Sequence, residues 1–103
     1  MLEQTLHHRD KILVRRLVME PGEALPWHVD PHHRVSVVLS GDRLRIEYRD
    51  GSEPHTIDVT PGMADWDEPT DKPHRGVNAG TTTYEEITVF LLDRHDATPQ
   101  PRA

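Results

Sequence analysis

Proline and glycine punctuate this chain so closely that a long helix has no place to form. Of nine prolines, seven stand at positions 21, 26, 31, 54, 61, 69 and 73. Each removes an amide donor and fixes φ, which breaks a helix or confines a strand to a sheet edge. Between these breaks lie short apolar runs: KILVRRLVM (11–19), RVSVVLS (34–40), RLRIEYR (43–49), HTIDV (55–59) and TYEEITVFLL (83–92). No segment of ten or more residues carries a sustained 3.6-residue apolar stripe. Leu44, Ile46 and Tyr48 instead alternate with Arg45 and Glu47, the period of two that buries one strand face and wets the other. Turn pairs recur at Pro21-Gly22, Ser40-Gly41, Pro61-Gly62 and Ala79-Gly80, and Asp50-Gly51 suits a type I′ hairpin turn with positive φ at both central positions. The chain reads as all-β, with seven or eight strands that suit a sandwich or an antiparallel barrel, and closing the sheet removes edges that invite aggregation.

At 103 residues the chain holds one domain, expected over residues 1–93, followed by a flexible tail at 94–103 (RHDATPQPRA) with no apolar periodicity. Apolar residues make up 34%, so the core is thin. A bound metal or a second subunit is the usual reinforcement at this size, and a homodimer is expected. The net charge of -6, with basic residues scattered among acidic ones, disfavours nucleic acid. The opening MLEQTLHHRDK is polar and no run approaches the length of a membrane span, so a cytoplasmic protein without membrane contact is expected. With no cysteine, disulfides, thiolate zinc sites and thiol catalysis are excluded. A transition-metal site must use imidazole and carboxylate, and eight histidines are present.

Two segments carry the chemistry. The first runs from Gly22 through His28, Asp30 and Arg34 to Gly41; the second runs from Gly62 through Pro69 and His74 to Asn78. On a strand, His28 and Asp30 leave the same face about 7 Å apart, close enough to converge on one ion. His32 would share that face if the strand continued. No residue pairs a nucleophile with a base, which removes acyl-transfer chemistry.

Together the two segments resemble the paired motifs of the small single-domain cupins. The resemblance spans Gly22 to Asn78 in motif and nearly the whole chain in strand pattern. It implies a cupin-type jelly roll, or double-stranded β-helix, with sheet-edge dimers and a divalent metal at the barrel mouth. Gly22, His28, Gly41, Pro69, His74 and Asn78 fall in step with the family pattern. Asp30 stands where the family has a second histidine, and Arg34 where it has glutamate.

On that resemblance His74 joins His28 and Asp30 as the third metal ligand. Two imidazoles and one carboxylate form the facial set that suits Fe, and Mn, Ni or Zn would also accept it. Arg34 is the objection: a guanidinium about 6 Å from a divalent ion costs on the order of 5 kcal/mol at an effective dielectric near 20 unless an anion intervenes. Asp30 or a ligand carboxylate can be that anion, which makes Arg34, with His32, the candidate contact for a small anionic ligand. A metal-dependent enzyme of dioxygenase or isomerase type, a non-catalytic ligand- or metal-binding cupin, and a metal-free barrel in which Asp30 and Arg34 merely pair all remain open. His7, His8, His55 and His95 read as surface residues. Glu85 and Glu86 read as a solvated strand edge, Tyr48, Tyr84 and Phe90 as core, and Asn78 as the holder of the turn that follows His74.

Overall fold

The apolar runs isolated by turns become strands in the computed structural model, which describes residues 1–92. They are β2 (Ile12–Met19), β4 (His33–Ser40), β5 (Arg43–Tyr48), β6 (His55–Asp58) and β9 (Tyr84–Leu91). Four more strands lack such a run: β1 (Leu2–Arg9), β3 (His28–Asp30), β7 (Ala64–Asp67) and β8 (Thr70–Asn78). The described residues therefore hold nine strands, more than the seven or eight expected. The polar opening of the chain accounts for part of the difference. β1 is exposed along its length and is held by backbone pairing to β2 rather than by burial. The expected tail at 94–103, with His95, lies outside the described residues. No helix among the described residues is long and apolar enough to cross a membrane.

The strands form two antiparallel sheets, ordered β1-β2-β9-β4-β7 and β3-β8-β5-β6. The expected closure does not occur, because no ladder joins the two sheets among the described residues. β3, β6 and β7 are only three to four residues long. Prolines 26, 31, 54, 61 and 69 flank them and stop the ladders from extending. Shortness limits the number of unpaired donors each edge exposes.

Between the sheets Leu17, Met19, Leu25, Val38, Val59 and Tyr84 form the buried cluster, with Leu44, Ile57 and Met63 packed against it. The core is as thin as the composition requires. Asn78, 1% exposed, anchors one end of it. Its Nδ2 donates to the carbonyls of Met19 and Thr82, each at 2.9 Å, and its Oδ1 accepts from Gly80 N at 3.0 Å. It thereby holds the β8–β9 turn in the structural role the sequence suggested. The turn after β5 departs from type I′. Gly51 N donates to Tyr48 O, and Gly51 (φ 83) has positive φ whereas Asp50 does not. Asp50 Oδ1 instead accepts from Ser52 N at 2.8 Å, the local side-chain bond that stabilises such turns.

Gly41 is fixed by sterics. Its φ is +124, and an added Cβ would lie 2.8 Å from Tyr84 Cδ1 and 3.3 Å from Tyr84 Cα. Gly41→Ala combines backbone strain with a clash against a buried tyrosine. The expected cost is roughly 2–3 kcal/mol, and thermal unfolding should show Tm lower by about 10 °C. An unchanged melting curve would contradict this account of the position.

Candidate metal centre

β8 is the strand on which the site is assembled. β3 pairs with it so that His28 lies opposite His74 and Asp30 opposite Thr70, with a register shift between the two pairs. On the other side of β8, Tyr48 of β5 lies opposite His74. Arg34 enters from β4 in the facing sheet, where it pairs with Phe90 and Asp67. His28, Asp30 and His74 each offer one donor atom, and these atoms lie within 4.8 Å of one another. The three residues chosen as ligands are thus brought together.

The histidine tautomers follow from the backbone. His28 Nδ1 is 2.7 Å from Pro26 O, and His74 Nδ1 is 2.8 Å from Lys72 O. A carbonyl only accepts, so each Nδ1 carries a proton and donates it. Each Nε2 then points its remaining valence at Asp30. His74 Nε2 lies 2.7 Å from Asp30 Oδ2 and His28 Nε2 lies 3.4 Å from it. In neutral rings these nitrogens are lone pairs facing a carboxylate, which is repulsive unless a positive charge sits between them. A proton on each ring or one divalent cation supplies that charge. Anchoring Nδ1 to a carbonyl is also the arrangement that orients an imidazole for ligation through Nε2.

Asp30 is the anion that shields Arg34. Arg34 Nη2 lies 3.3 Å from the same Oδ2, and its Nε lies 3.8 Å from Asp67 Oδ2. Burial alone would raise the Asp30 carboxyl. The bonds from His28 and His74 and the charge of Arg34 outweigh it and hold the group well below the usual carboxylate range. The bond to Asp30 raises His28 against the opposing effect of its own burial. Asp67 is raised because burial outweighs its attraction to Arg34. Arg34 Nη1 is buried with no hydrogen-bond partner among the described residues.

The site opens on a cavity of about 570 Å³ between the sheets. Arg34 lines it, whereas His32 does not; His32 is half-buried in the β3–β4 connection. His7 and His8 are exposed, as expected, and His55 is exposed but also lines the cavity. Glu86 corrects the sequence reading. Rather than lying on a solvated edge, it is 8% exposed and faces the cavity. Tyr84 Oη donates to its Oε1 at 2.6 Å, while Thr88 Oγ1 and Arg15 Nη2 donate to Oε2. Ser36 Oγ bonds Thr88 Oγ1 at 3.0 Å and extends the network. Burial, with Glu86 beside it, pushes the Tyr84 phenol up. The sequence carried the signal: Tyr84, Glu86, Thr88 and Phe90 alternate with Glu85, Ile87, Val89 and Leu91, and a buried tyrosine places its own set inside.

No family model matches the sequence, and no curated protein matches it. Solved structures do. A cupin domain from Bordetella pertussis superposes with a TM-score of 0.76 at 19% identity, covering 87% of this chain and 91% of its own. The chain has the cupin fold. An RmlC-like cupin family protein with a double-stranded β-helix fold from Methanocaldococcus jannaschii gives 0.72 at 18% identity, over 91% of this chain and 80% of that one. Oxalate oxidase, solved in complex with the substrate analogue glycolate, gives 0.61 at 20% identity, covering 82% of this chain and 44% of the oxidase. Across these structures the likeness is one of fold.

Asp30→Asn tests the shared carboxylate in metal-depleted protein. It leaves Arg34, 16% exposed at its side chain, beside two imidazoles with only the longer 3.8 Å contact to Asp67 as compensating charge. Stability should fall by on the order of 3 kcal/mol, measured by urea unfolding. A loss below about 0.5 kcal/mol, within the scatter for unimportant surface changes, would show that Asp30 does not hold the mouth together.

Proposed function

We propose that this chain is a small cupin that binds a divalent metal ion through His28 Nε2, His74 Nε2 and Asp30, with Arg34 placed to receive the carboxylate of a small-molecule ligand. One observation carries the reading: both imidazoles give Nδ1 to backbone carbonyls and turn Nε2 toward a single carboxylate oxygen. The surroundings favour a cation, since Asp30, Asp65, Asp67 and Glu86 line the cavity with only Arg15 and Arg34 against them. Fe, Mn, Ni or Zn would suit the donor set. A bound ion would supply Lewis acidity and open positions for ligand oxygens. The protein's own groups hold the ion, keep Arg34 apart from it through Asp30, and offer Arg34 Nη1 to the ligand. Binding without turnover is the second reading, favoured because the hydroxyls that meet Glu86, those of Tyr84 and Thr88, are buried and tied into its network.

Elemental analysis of untagged protein grown with supplemented metals should find one transition metal per chain. His28→Ala and His74→Ala should each lose it and melt lower, because an ion that binds only the folded state stabilises it. Arg34→Ala should keep the metal and weaken carboxylate binding by roughly tenfold, the value of one charge-assisted hydrogen bond. Full occupancy in His74→Ala would remove this residue from the centre and overturn the proposal.

We also propose that two copies pair through the outer face of the five-stranded sheet rather than through sheet edges. Register places Val14, Val89, Val35 and Trp66 in one row across four strands, with Arg16, Ile87, Val37 and Ala64 in the next. Ile12, Leu39 and Trp66 are 46%, 46% and 55% exposed, and the Arg16–Glu85 ion pair sits toward one end of the face. Four strands about 24 Å long and the four-residue β7, about 13 Å, all about 4.8 Å apart, give roughly 500 Å² per copy, so the pair reaches the ~1,000 Å² that a specific interface needs. Residues 93–103 (DRHDATPQPRA) carry no large apolar side chain with which to cover it. In sedimentation equilibrium the wild type should be dimeric, and Val89→Arg should be monomeric with its metal content intact. A wild type sedimenting only at 11.8 kDa would refute the pairing.

A further inference from the structure

The cavity has two unlike ends. Its mouth is the charged set of His28, Asp30, Arg34, Asp67 and His74. Deeper in, Leu44 and Ile46 of β5, Ile57 of β6 and Met63 line it, and all four are half-buried although they point between the sheets. Leu17, Met19, Val38 and Tyr84, inward from the facing sheet, are at most 4% exposed. Leu44, Ile57 and Met63 pack against the core cluster and, with Ile46, also line the cavity, so the β5–β6 wall gives it an apolar end, the chamber. Gly76 keeps the way to it open. It stands on β8 between His74 and Asn78, and an added Cβ would meet nothing nearer than Leu44 Cδ1 at 3.7 Å and Leu25 Cδ1 at 4.0 Å. The opposite wall makes few demands, because Ser36, Thr88 and Glu86 already bond to one another, leaving Arg15 Nε as its unpartnered donor.

Building on the metal-centre reading, we infer that the ligand is an amphipathic carboxylate: a carboxylate head at the centre and Arg34, and an unbranched apolar tail in the chamber of Leu44, Ile46, Ile57 and Met63. A short polar acid fills only the mouth and leaves the chamber to water. From His74 to the level of Asn78 is about 13 Å of strand, which sets a tail of about eight carbons. The cavity volume of about 570 Å³ suits a ligand of that size. Each buried methylene strengthens binding by roughly threefold, so length is the readable variable.

Calorimetric titration of the protein as purified with butanoate, hexanoate and octanoate tests this. Affinity should rise on the order of a hundredfold from butanoate to octanoate. Ile57→Trp, on the edge strand β6, fills the chamber; it should erase that gain while butanoate affinity and metal content stay unchanged. Met63→Phe should shorten the longest favoured tail in the same way. Equal affinity across the series, or oxalate binding more tightly than octanoate, would overturn the inference. The metal reading fails separately. If the protein as purified holds no metal and the rise with length persists, with Arg34→Ala weakening all three acids alike, the tail chamber stands and the metal centre does not. If metal is present and the series is flat, the centre stands and the chamber does not.

Discussion

One carboxylate oxygen organises the mouth of this protein. Asp30 Oδ2 meets His28 and His74 from its own sheet and Arg34 from the facing one. A buried carboxylate is costly to desolvate, and here several partners together repay the cost. Because Arg34 stands on the five-stranded sheet, this contact also ties the two sheets together where no backbone ladder does so. The apparent conflict of a guanidinium beside a metal site resolves in the same oxygen. The arginine neutralises the outer side of a carboxylate whose inner side faces the two imidazoles.

The open sheets and the thin core share one cause. Prolines shorten β3, β6 and β7, so the sheets cannot zip into a closed barrel, and the interior stays partly accessible as a cavity. That cavity can tolerate a buried glutamate because Glu86 is compensated on both oxygens, by Tyr84 on one and by Thr88 and Arg15 on the other. A buried carboxylate with a cation and two hydroxyl donors is a satisfied group. It makes one wall of the cavity polar without leaving it hungry for water, while the other wall remains apolar.

How much of this was legible in the sequence depended on whether a residue's role was local. Spacing two apart put His28 and Asp30 on one face, because strand period is written in the chain; His74, which lies opposite His28, was placed there by the resemblance of the second motif, because pairing between distant strands is not written locally. The β5 alternation was equally readable: Leu44, Ile46 and Tyr48 do face inward. β9 misled because the usual rule inverts there. Its apolar alternates Ile87 and Val89 lie on the outer face, while Glu86 lines the cavity and Thr88 is buried beside it. A period of two says that a strand has two faces; it does not say which is the interior when the inner face is polar and the outer one apolar. β1 was missed for a related reason, since backbone pairing alone forms it and leaves no hydrophobic trace. The failure of closure depends on how far each ladder extends, which no single segment encodes.

The geometry also orders events at the proposed centre. Without a metal ion, the mouth holds Asp30 and Asp67 with Arg34 shared between them, and the two imidazoles that face Asp30 decide the balance of charge. At an effective dielectric near 20, a unit charge 4 Å away is worth on the order of 4 kcal/mol, so Asp67 and Arg34 act on an incoming carboxylate with similar strength and opposite sign. A divalent ion held by His28, Asp30 and His74 would add positive charge to this balance. Asp30 would then serve the ion, and Arg34 would have charge to share with an anionic ligand. The tail chamber would supply affinity that grows with length, and the mouth would set how readily a carboxylate enters. On the proposed reading, the ion would therefore make the mouth more receptive to an anion.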